Sequence, residues 1–300
     1  EDIFQYYDIL NKYKIEISKF RDFFIQVQSL YHNNPFHNFQ HVWSVFQISF
    51  LILQNGADRF LHLDEIFATL VAALCHDLDH PGNNNAFEKS INSELYQKYQ
   101  NNAVLECHHK WMTRKLFEQS HLNLLSELPL SQQEQILDIL DGGIMATDMA
   151  QHFALMDVLE THTRSDPNFD IENESDRKLL VGLIVHAADL SGQALKREIA
   201  LFWGSKVTQE FINQSVKETE LSLPLSPWML GLENEITKLK MQRGFVETFI
   251  IPQWTLMSLV VPSLTHCKDN AISNFEFYDM KIKELESPVT DIILPTESGT

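Results

Sequence analysis

Histidine and carboxylate side chains recur in this 300-residue sequence at positions flanked by apolar, helix-forming residues. Burying an ionisable group is costly unless it is paired or bound to a metal ion. Neutral imidazoles and carboxylates are also the ligands that proteins use for zinc, magnesium and manganese. Pairing or metal binding would therefore account for this group, which comprises His37, His41, His76, Asp77, His80, Glu106, His108, His109, Asp148, His152, His186 and Asp189.

The segment His76-Asp77-Leu78-Asp79-His80-Pro81-Gly82 is the strongest local motif. Adjacent His and Asp residues at a helix end can bind one metal ion from neighbouring positions, although a solvated helix end is the plain alternative. His41 precedes this motif and Asp189 follows it, each on a separate predicted helix. The order His, His-Asp, Asp is typical of an H…HD…D metal site, and the joint occurrence favours metal binding.

The flanking side chains have structural explanations when each is taken alone. If the chain is helical at His37, that residue shares a helix face with His41, four residues on. His37 and Asn38 could equally cap the start of a helix, and Asp189 could cap an end. Single residues leave these alternatives open.

Apolar stripes at helical spacing would position these groups. The stripe from Leu63 to Leu74 predicts a helix that ends at His76 and Asp77. A stripe through Leu179 to Ala187 carries Asp189 at its end, and another runs from Ile136 to Met145. Strict alternation is absent, and further helices are predicted at about 3–30, 40–54, 86–98, 103–118, 197–220, 232–250 and 253–265.

The domain prediction is a single compact, all-α, multi-helix domain over residues 1–285 with a C-terminal tail at 286–300. Gly and Pro number only 10 each, so turns are scarce, and no repeat or Gly/Ser linker divides the chain. The acidic segment 164–176 is predicted to be a surface connection.

Charge and cysteine content narrow the class of protein. The net charge is −18, from 23 basic and 41 acidic residues, which disfavours nucleic-acid partners and anionic membranes. Three cysteines suggest no disulfide framework, and the longest apolar stretch, Ile66 to Cys75, is too short for a membrane segment. We expect a cytoplasmic location. Because the sequence does not begin with Met, we also expect regulatory domains outside it, and a homodimer is compatible with the chain.

Six segments in order resemble motifs of the catalytic domain of class I cyclic nucleotide phosphodiesterases. The resemblance covers about residues 20–285 and implies the all-α, HD-type fold of that family. The segments are Tyr31–His41, His76–Gly82, Leu105–His109, Ala146–Ala150, His186–Ser191 and Gln242–Phe245.

The resemblance implies a site with two divalent metals. His41, His76, Asp77 and Asp189 would bind Zn²⁺, and Asp77 would bridge to a second ion, Mg²⁺ or Mn²⁺. Two such ions can activate a shared water and neutralise charge on a phosphoryl group. Metal-bound waters would be oriented by His80, Glu106, His109, Thr147 and Asp148.

The reaction implied is hydrolysis of the 3′,5′-cyclic phosphodiester of cAMP or cGMP to the nucleoside 5′-monophosphate. The activated water would attack phosphorus in line and expel the ribose 3′-oxygen, a poor leaving group that needs an acid. The resemblance assigns that acid to His37, with Glu106 keeping its imidazole protonated or correctly oriented.

For the base, the resemblance implies that Gln242 hydrogen-bonds the purine edge, Phe245 stacks under the ring and Val207 covers it. An amide that can rotate offers a donor and an acceptor to either purine. Two positions depart from the commoner family pattern, Cys107 and Gly192, where Asn is frequent. Because Gly192 cannot contribute a side-chain contact, we expect a modest preference between the nucleotides, with cAMP slightly favoured.

Two other classes of protein share some of these features. An HD-type di-iron oxygenase also uses His, His-Asp and Asp on helices, and metal analysis with an oxygen-consumption test would identify it. A cyclic-nucleotide sensor could keep the fold without turnover. The presence of His37 and of all four presumed metal ligands favours the hydrolase.

Overall fold

The computed structural model describes residues 1–287, and every regular element within them is a helix, which confirms the all-α prediction. Short 3₁₀ or π-helical turns join several of the α-helices, notably at Met149–Gln151, Leu190–Ala194 and Val246–Ile250. The α-helices are α1 (Asp2–Tyr6), α2 (Ile9–Lys12), α3 (Ile17–Ser29), α4 (Phe39–Ile52), α5 (Leu63–Cys75), α6 (Asn85–Ser90), α7 (Glu94–Tyr99), α8 (Val104–Phe117), α9 (Leu130–Met145), α10 (His152–Ser165), α11 (Glu174–Asp189), α12 (Arg197–Glu220), α13 (Glu235–Phe245), α14 (Ile251–Val260) and α15 (Thr265–Glu286).

Helix α5 forms the centre of the core and packs against α4, α9 and α11. All its residues from Glu65 to Cys75 are buried, as expected for a helix that is apolar on nearly every side. Glu65 accepts a hydrogen bond from His62 N at 3.1 Å and pairs with Arg177 of α11 at 2.7 Å. The start of α5 is thereby fixed, and its C-terminal end places His76 and Asp77 beside α4 and α11.

Two predicted helices are broken in the structure. The predicted helix 3–30 is three helices, separated by turns in which Asp8 and Lys14 have φ values of 57° and 53°. The predicted helix 86–98 is divided into α6 and α7, with Asn92 at φ 50° between them. A residue in the left-handed region cannot continue a right-handed helix. None of these breaks carries a Gly or Pro that would have indicated it.

Helices α10 and α15 were not predicted, although α15 has 22 residues. Its buried positions, Cys267, Ala271, Asn274, Tyr278 and Ile282, recur at helical spacing, so a signal was present. The predicted connection 164–176 is confirmed in shortened form between Ser165 and Glu174. Of the predicted tail, residues 288–300 lie outside the described residues.

Membrane-spanning potential is weak within residues 1–287. No single helix among these residues is both long enough and apolar enough to cross a bilayer. The segments 174–194 and 197–220, which are bent by 105° relative to each other, reach the required length and hydropathy only when they are taken together.

Candidate active site

Three helix termini bring the predicted metal ligands together. Asn38 caps α4 and accepts from the backbone N of His41 at 3.2 Å, which fixes the first turn of that helix. His41 Nε2 lies 3.0 Å from Oδ1 of Asp189, the last residue of α11, and 3.5 Å from Oδ2 of Asp77, just beyond α5. Side chains separated by up to 148 positions therefore meet at one point.

His76 completes this cluster. Its Nε2 atom is buried and faces the carboxylates of Asp77 and Asp189. Its Nδ1 donates to Ala73 O at 3.1 Å, so that in the neutral ring Nε2 carries the lone pair. That Nε2 lies 3.2 Å from Asp77 Oδ2 and 3.4 Å from Asp189 Oδ1. Among the described residues neither His76 Nε2 nor Asp77 Oδ2 has a hydrogen-bond partner, although both atoms are buried. Buried acceptors that converge without donors fit a divalent cation.

The electrostatics of the cluster also favour a cation. Burial raises the pKa of Asp77, but the charges of His76 and His37 outweigh this effect and hold it well below its ordinary value. Burial lowers the pKa of His76, yet Asp77 and Asp189 raise it well above its ordinary value. The two carboxylates thus favour positive charge in the pocket, and a divalent cation would supply that charge.

A second group of converging ligands lies on the other side of Asp77, with His80 and His109. His109 Nδ1 donates to Leu78 O at 2.7 Å, which leaves the Nε2 lone pair 3.9 Å from Asp77 Oδ1. Burial lowers the pKa of His109 to about 4 and also lowers that of His80 far below its ordinary value, so both rings are neutral. His80 Nδ1 accepts from Gly82 N at 3.0 Å, and its remaining proton is therefore on Nε2. His80 offers a donor and His109 an acceptor.

Glu106, Thr147 and Asp148 extend this polar region. Burial and the charge of Asp148 raise the pKa of Glu106 to about 7, against the opposing hydrogen bond from Asn85 at 2.9 Å. Thr147 Oγ1 donates to Ile144 O at 2.8 Å. Asp148 caps the following 3₁₀ turn by accepting from Ala150 N at 3.0 Å. All three site residues are buried at the end of α9 or on α8, and their proposed contacts with metal-bound waters stay predictions.

His37 does not share a helix face with His41, because α4 begins only at Phe39. Its ring stacks on His80 with centroids 3.9 Å apart. Its Nδ1 pairs with Glu210 Oε1 of α12, and Glu210 Oε2 accepts from the backbone N of His37 at 3.1 Å. The expected pairing with Glu106 was wrong, since Glu106 is bound to Asn85 instead.

Pairing with Glu210 determines the charge of His37. Burial lowers the pKa of His37, but the charges of Glu210 and Asp77 raise it more, to about 9. The ring is then protonated at neutral pH, with Nδ1–H donated to Glu210. Its Nε2–H makes no hydrogen bond within residues 1–287, so this proton is available to a ligand.

Other candidates lie outside both groups of converging ligands. His152 Nδ1 and His186 Nε2 are 2.9 Å apart and form a hydrogen bond between α10 and α11. Burial lowers the pKa of His152 to about 4, so this pair is neutral and links two helices. His108 is hydrogen-bonded to Asp79 at 2.7 Å.

Gln242, on α13, is buried, and three hydrogen bonds to the protein hold its amide. Its Nε2 donates to Gly204 O at 3.1 Å and to Thr208 Oγ1 at 3.2 Å. Its Oε1 accepts from Gln193 Nε2 at 3.1 Å. Gln193 Nε2 also donates to Ala200 O at 3.0 Å. Because backbone carbonyls can only accept, both amides have one orientation.

This network corrects the expectation that the Gln242 amide would rotate. Gly192 contributes no side chain, but its neighbour Gln193 holds the amide, and Tyr278 OH in turn donates to Gln193 Oε1 at 3.1 Å. A Cβ at Gly192 would lie 3.2 Å from Cβ of Trp203, so the glycine permits close packing there. The signal for Gln193 was its place two residues after the motif that ends at Ser191, and this position alone does not predict which residue the side chain contacts.

Phe245 and Val207 are half-buried on α13 and α12. Phe245 lies one helical turn after Gln242, and its ring centroid is 5.2 Å from that of Phe249. Their contacts with a purine stay predictions.

Known proteins match this chain over most of its length. A family model described as 3′5′-cyclic nucleotide phosphodiesterase matches residues 36–271. The 3′,5′-cyclic-nucleotide phosphodiesterase regA of Dictyostelium discoideum is 33% identical over 86% of this chain and 32% of its own length. The high affinity cGMP-specific 3′,5′-cyclic phosphodiesterase 9A of Mus musculus is 29% identical over 98% of this chain and 55% of its own length.

A solved structure agrees with these sequence matches. The phosphodiesterase domain of Salpingoeca rosetta rhodopsin phosphodiesterase has a TM-score of 0.90 at 29% identity, over 95% of this chain and 86% of that chain. The chain thus spans about a third of the length of one of the curated relatives named above and just over half of the other. With the family model covering more than two thirds of the residues, the chain belongs to the 3′5′-cyclic nucleotide phosphodiesterase family.

Proposed function

We propose that this chain hydrolyses the 3′,5′-cyclic phosphodiester of cAMP or cGMP to the nucleoside 5′-monophosphate. The observation that carries this proposal is the buried convergence of His41, His76, Asp77 and Asp189 beside a protonated His37. Family membership and the names of the curated relatives support the same reaction. A hydrolase needs both parts, because a cyclic phosphodiester must gain a nucleophile at phosphorus and a proton on the leaving oxygen.

The ligand types support Zn²⁺ at His41, His76, Asp77 and Asp189, since imidazole nitrogens with carboxylate oxygens suit that ion. A second ion, Mg²⁺ or Mn²⁺, would also be held by Asp77. When bound, two such cations would activate water and offset negative charge on the phosphoryl oxygens. Asp77 is the residue that both ions would share.

The imidazoles around Asp77 would orient water and supply the proton. His80 Nε2–H can donate to a water oxygen, and the lone pair of His109 Nε2 can accept from a water hydrogen. As the oxygen of water bonds to phosphorus and the bond to the 3′-oxygen breaks, His37 Nε2–H protonates that oxygen. The attacking water releases one proton to solvent and His37 regains one from solvent, so the net change is the addition of water across one P–O bond. Glu210 keeps Nδ1 bonded throughout and stabilises the protonated ring.

The base would be selected by one remaining acceptor. Both hydrogens of Gln242 Nε2 are used by Gly204 and Thr208, and Oε1 keeps one free lone pair after accepting from Gln193. A purine must therefore present an N–H group to this oxygen. Adenine does so with its exocyclic amine and guanine with its ring N1–H, which supports activity on both, with Phe245 stacking and Val207 covering the ring.

Product analysis tests this function directly. The purified chain is incubated with cAMP and with cGMP in magnesium buffer, and the 5′-monophosphates are quantified. A sample stripped of metal by a chelator and a sample reloaded with metal serve as controls. Nucleotide binding without product in the reloaded sample would support the sensor alternative instead, and oxygen consumption with bound iron would support the oxygenase.

A further inference from the structure

Asp79 has an unusual backbone conformation within the turn that presents the metal ligands. Its φ is 61°, in the left-handed region that residues other than Gly rarely adopt. The residue stands two positions after Asp77 and one before His80, and its backbone N donates to Leu30 O at 3.1 Å. Asp tolerates this region better than most residues, but the conformation still costs free energy that contacts with the surroundings must offset.

The carboxylate of Asp79 is held from two sides. His32, in the segment after α3, approaches Oδ1 with its Nε2 at 2.7 Å, and His108 of α8 approaches Oδ2 at 2.7 Å. An ionised carboxylate can only accept, so both imidazoles donate through Nε2. His108 Nδ1 then accepts from the hydroxyl of Tyr99, at 3.1 Å. One consistent chain of donors thus runs from Tyr99 to Asp79.

We propose that Asp79 is a positioning residue for the metal-binding turn, and that its carboxylate, through His32 and His108, fixes where Asp77 and His80 point. This inference rests on the proposed metal-dependent function. The backbone around Asp79 is bonded directly to the site, since His80 N donates to Asp77 O at 3.1 Å. A shift of the turn would therefore move both side chains away from the converging ligand atoms. Asp79 itself need not touch metal or substrate.

Three substitutions at this position distinguish the effect of the backbone conformation from the effect of the carboxylate. Asp79→Gly tolerates the left-handed conformation without strain but removes the carboxylate. Asp79→Ala removes the carboxylate and adds strain. Asp79→Asn keeps the size and tolerates the conformation, and one of its two hydrogen bonds survives without a change of tautomer.

Asp8 offers a matched control remote in sequence from the ligands. It is also an aspartate in the left-handed region, at φ 57°, and its Oδ1 accepts from Asn11 Nδ2 at 2.7 Å. Asp8→Gly and Asp8→Ala therefore repeat the two backbone changes at a position between α1 and α2.

The main readout is metal affinity. For Zn²⁺ it is the amount of zinc retained after dialysis against increasing concentrations of a chelator. For Mg²⁺ it is the concentration that gives half-maximal binding in titration calorimetry. Groups that orient metal ligands typically contribute 10–100-fold to affinity. We expect Asp79→Gly and Asp79→Ala to weaken binding by about that factor, Asp79→Asn to weaken it less, and both Asp8 variants to match the wild type. Unfolding of the metal-free proteins by circular dichroism shows whether each variant folds.

Several results would overturn the proposal. If Asp79→Gly binds metal like the wild type while Asp79→Ala does not, only the backbone conformation matters and the carboxylate has no positioning role. If all folded Asp79 variants bind like the wild type, or lose only the thermal stability that the Asp8 variants lose, Asp79 is a structural residue. A wild-type chain that retains neither metal would overturn the metal-dependent function itself, a result distinct from the others.

Discussion

Glu210 and His37 are joined by two kinds of hydrogen bond, although 173 positions separate them in the chain. One carboxylate oxygen of Glu210 pairs with the ring Nδ1 of His37, while the other accepts from its backbone N at 3.1 Å. The backbone contact fixes where the loop lies, and the ring contact fixes its tautomer. Glu210 is therefore placed to control both the position and the charge of the proposed acid.

Glu210→Gln should lower kcat. In a plot of kcat against pH, the alkaline limb, where activity falls as pH rises, should move to lower pH. A general acid acts only when protonated, so activity is lost as pH rises through the pKa of His37, about 9 with Glu210 in place. Bound cations would lower that pKa in both proteins. Loss of an opposite charge at contact typically changes a pKa by about 1–3 units, so the limb should move down by at least one unit. The measurement is kcat against pH for both proteins.

A matched control for this experiment is Glu218→Gln, which changes another buried glutamate of α12. Glu218 accepts from Gln214 Nε2 at 2.8 Å and from Ser226 N at 3.1 Å, and has no contact with His37. It should leave the limb in place. An unchanged limb in Glu210→Gln would show that His37 does not set the alkaline pH dependence.

His37→Gln should reduce kcat by roughly 10²–10⁴-fold, the usual contribution of a general acid. The ligands His41, His76, Asp77 and Asp189 are untouched, so the metal content should stay the same. Rate measurement together with elemental analysis decides the matter. Loss of zinc in this variant would instead identify His37 as a ligand and require a different site.

Asp77→Ala should abolish turnover and remove at least one metal per chain, because among residues 1–287 only Asp77 belongs both to the group with His41 and His76 and to the group with His80 and His109. Its absence would leave the second ion with imidazoles alone, of which His80 has its Nδ1 lone pair occupied. Elemental analysis of the purified variant gives the metal count. Normal metal content with normal activity would contradict the assignment.

The helices that form the centre of the fold could be predicted because their sequences carry a strong signal. Helices α5, α9 and α11 pack on several neighbours, so their apolar stripes are broad and uninterrupted. The breaks at Asp8 and Asn92 depend on left-handed backbone conformations, which Asp and Asn adopt more readily than most residues but do not require, and no Gly or Pro marks them.

The convergence of the predicted metal ligands follows from residue type and order, whereas the partners of the neighbouring groups could not be predicted. Glu210 is one of several glutamates on α12, and only the fold reveals that it faces His37. A weak signal existed, because the buried face of α12 contains Thr208, Glu210, Gln214 and Glu218, and polar residues on a buried face indicate a network. The sequence pattern could not tell which groups that network serves.

A purine without an edge donor should be a poor substrate. Gln242 presents only a lone pair of Oε1, and the 3′,5′-cyclic phosphate of unsubstituted purine riboside has no N–H on that edge. Losing this second hydrogen bond to Oε1 costs about 0.5–1.5 kcal/mol, so kcat/KM of the analogue should be roughly 2–12-fold below that of cAMP. Gln242→Ala should raise KM for cAMP and cGMP, change kcat less, and abolish the difference between cAMP and the analogue. Equal kcat/KM values in the wild type would contradict the proposed contact.

Gly204→Ala tests the orientation of the same amide without changing any polar group. A Cβ at this position would lie 3.1 Å from Gln242 Cδ and 3.0 Å from Gln193 Nε2, closer than such atoms normally approach. The two amides must then shift, so KM should rise several-fold for both nucleotides while kcat changes less, because the proposed metal ligands and His37 lie outside α12 and α13.

Gly142→Ala on α9 is the control, since a Cβ there meets nothing within 4 Å. Ala in place of a helical Gly should raise the free energy of unfolding by roughly 0.4–1 kcal/mol and leave KM unchanged. Steady-state kinetics and denaturant unfolding of both variants separate the effect on the amide from the general effect of the substitution. If KM in Gly204→Ala equals that in Gly142→Ala, the Gln193–Gln242 contact does not position the base.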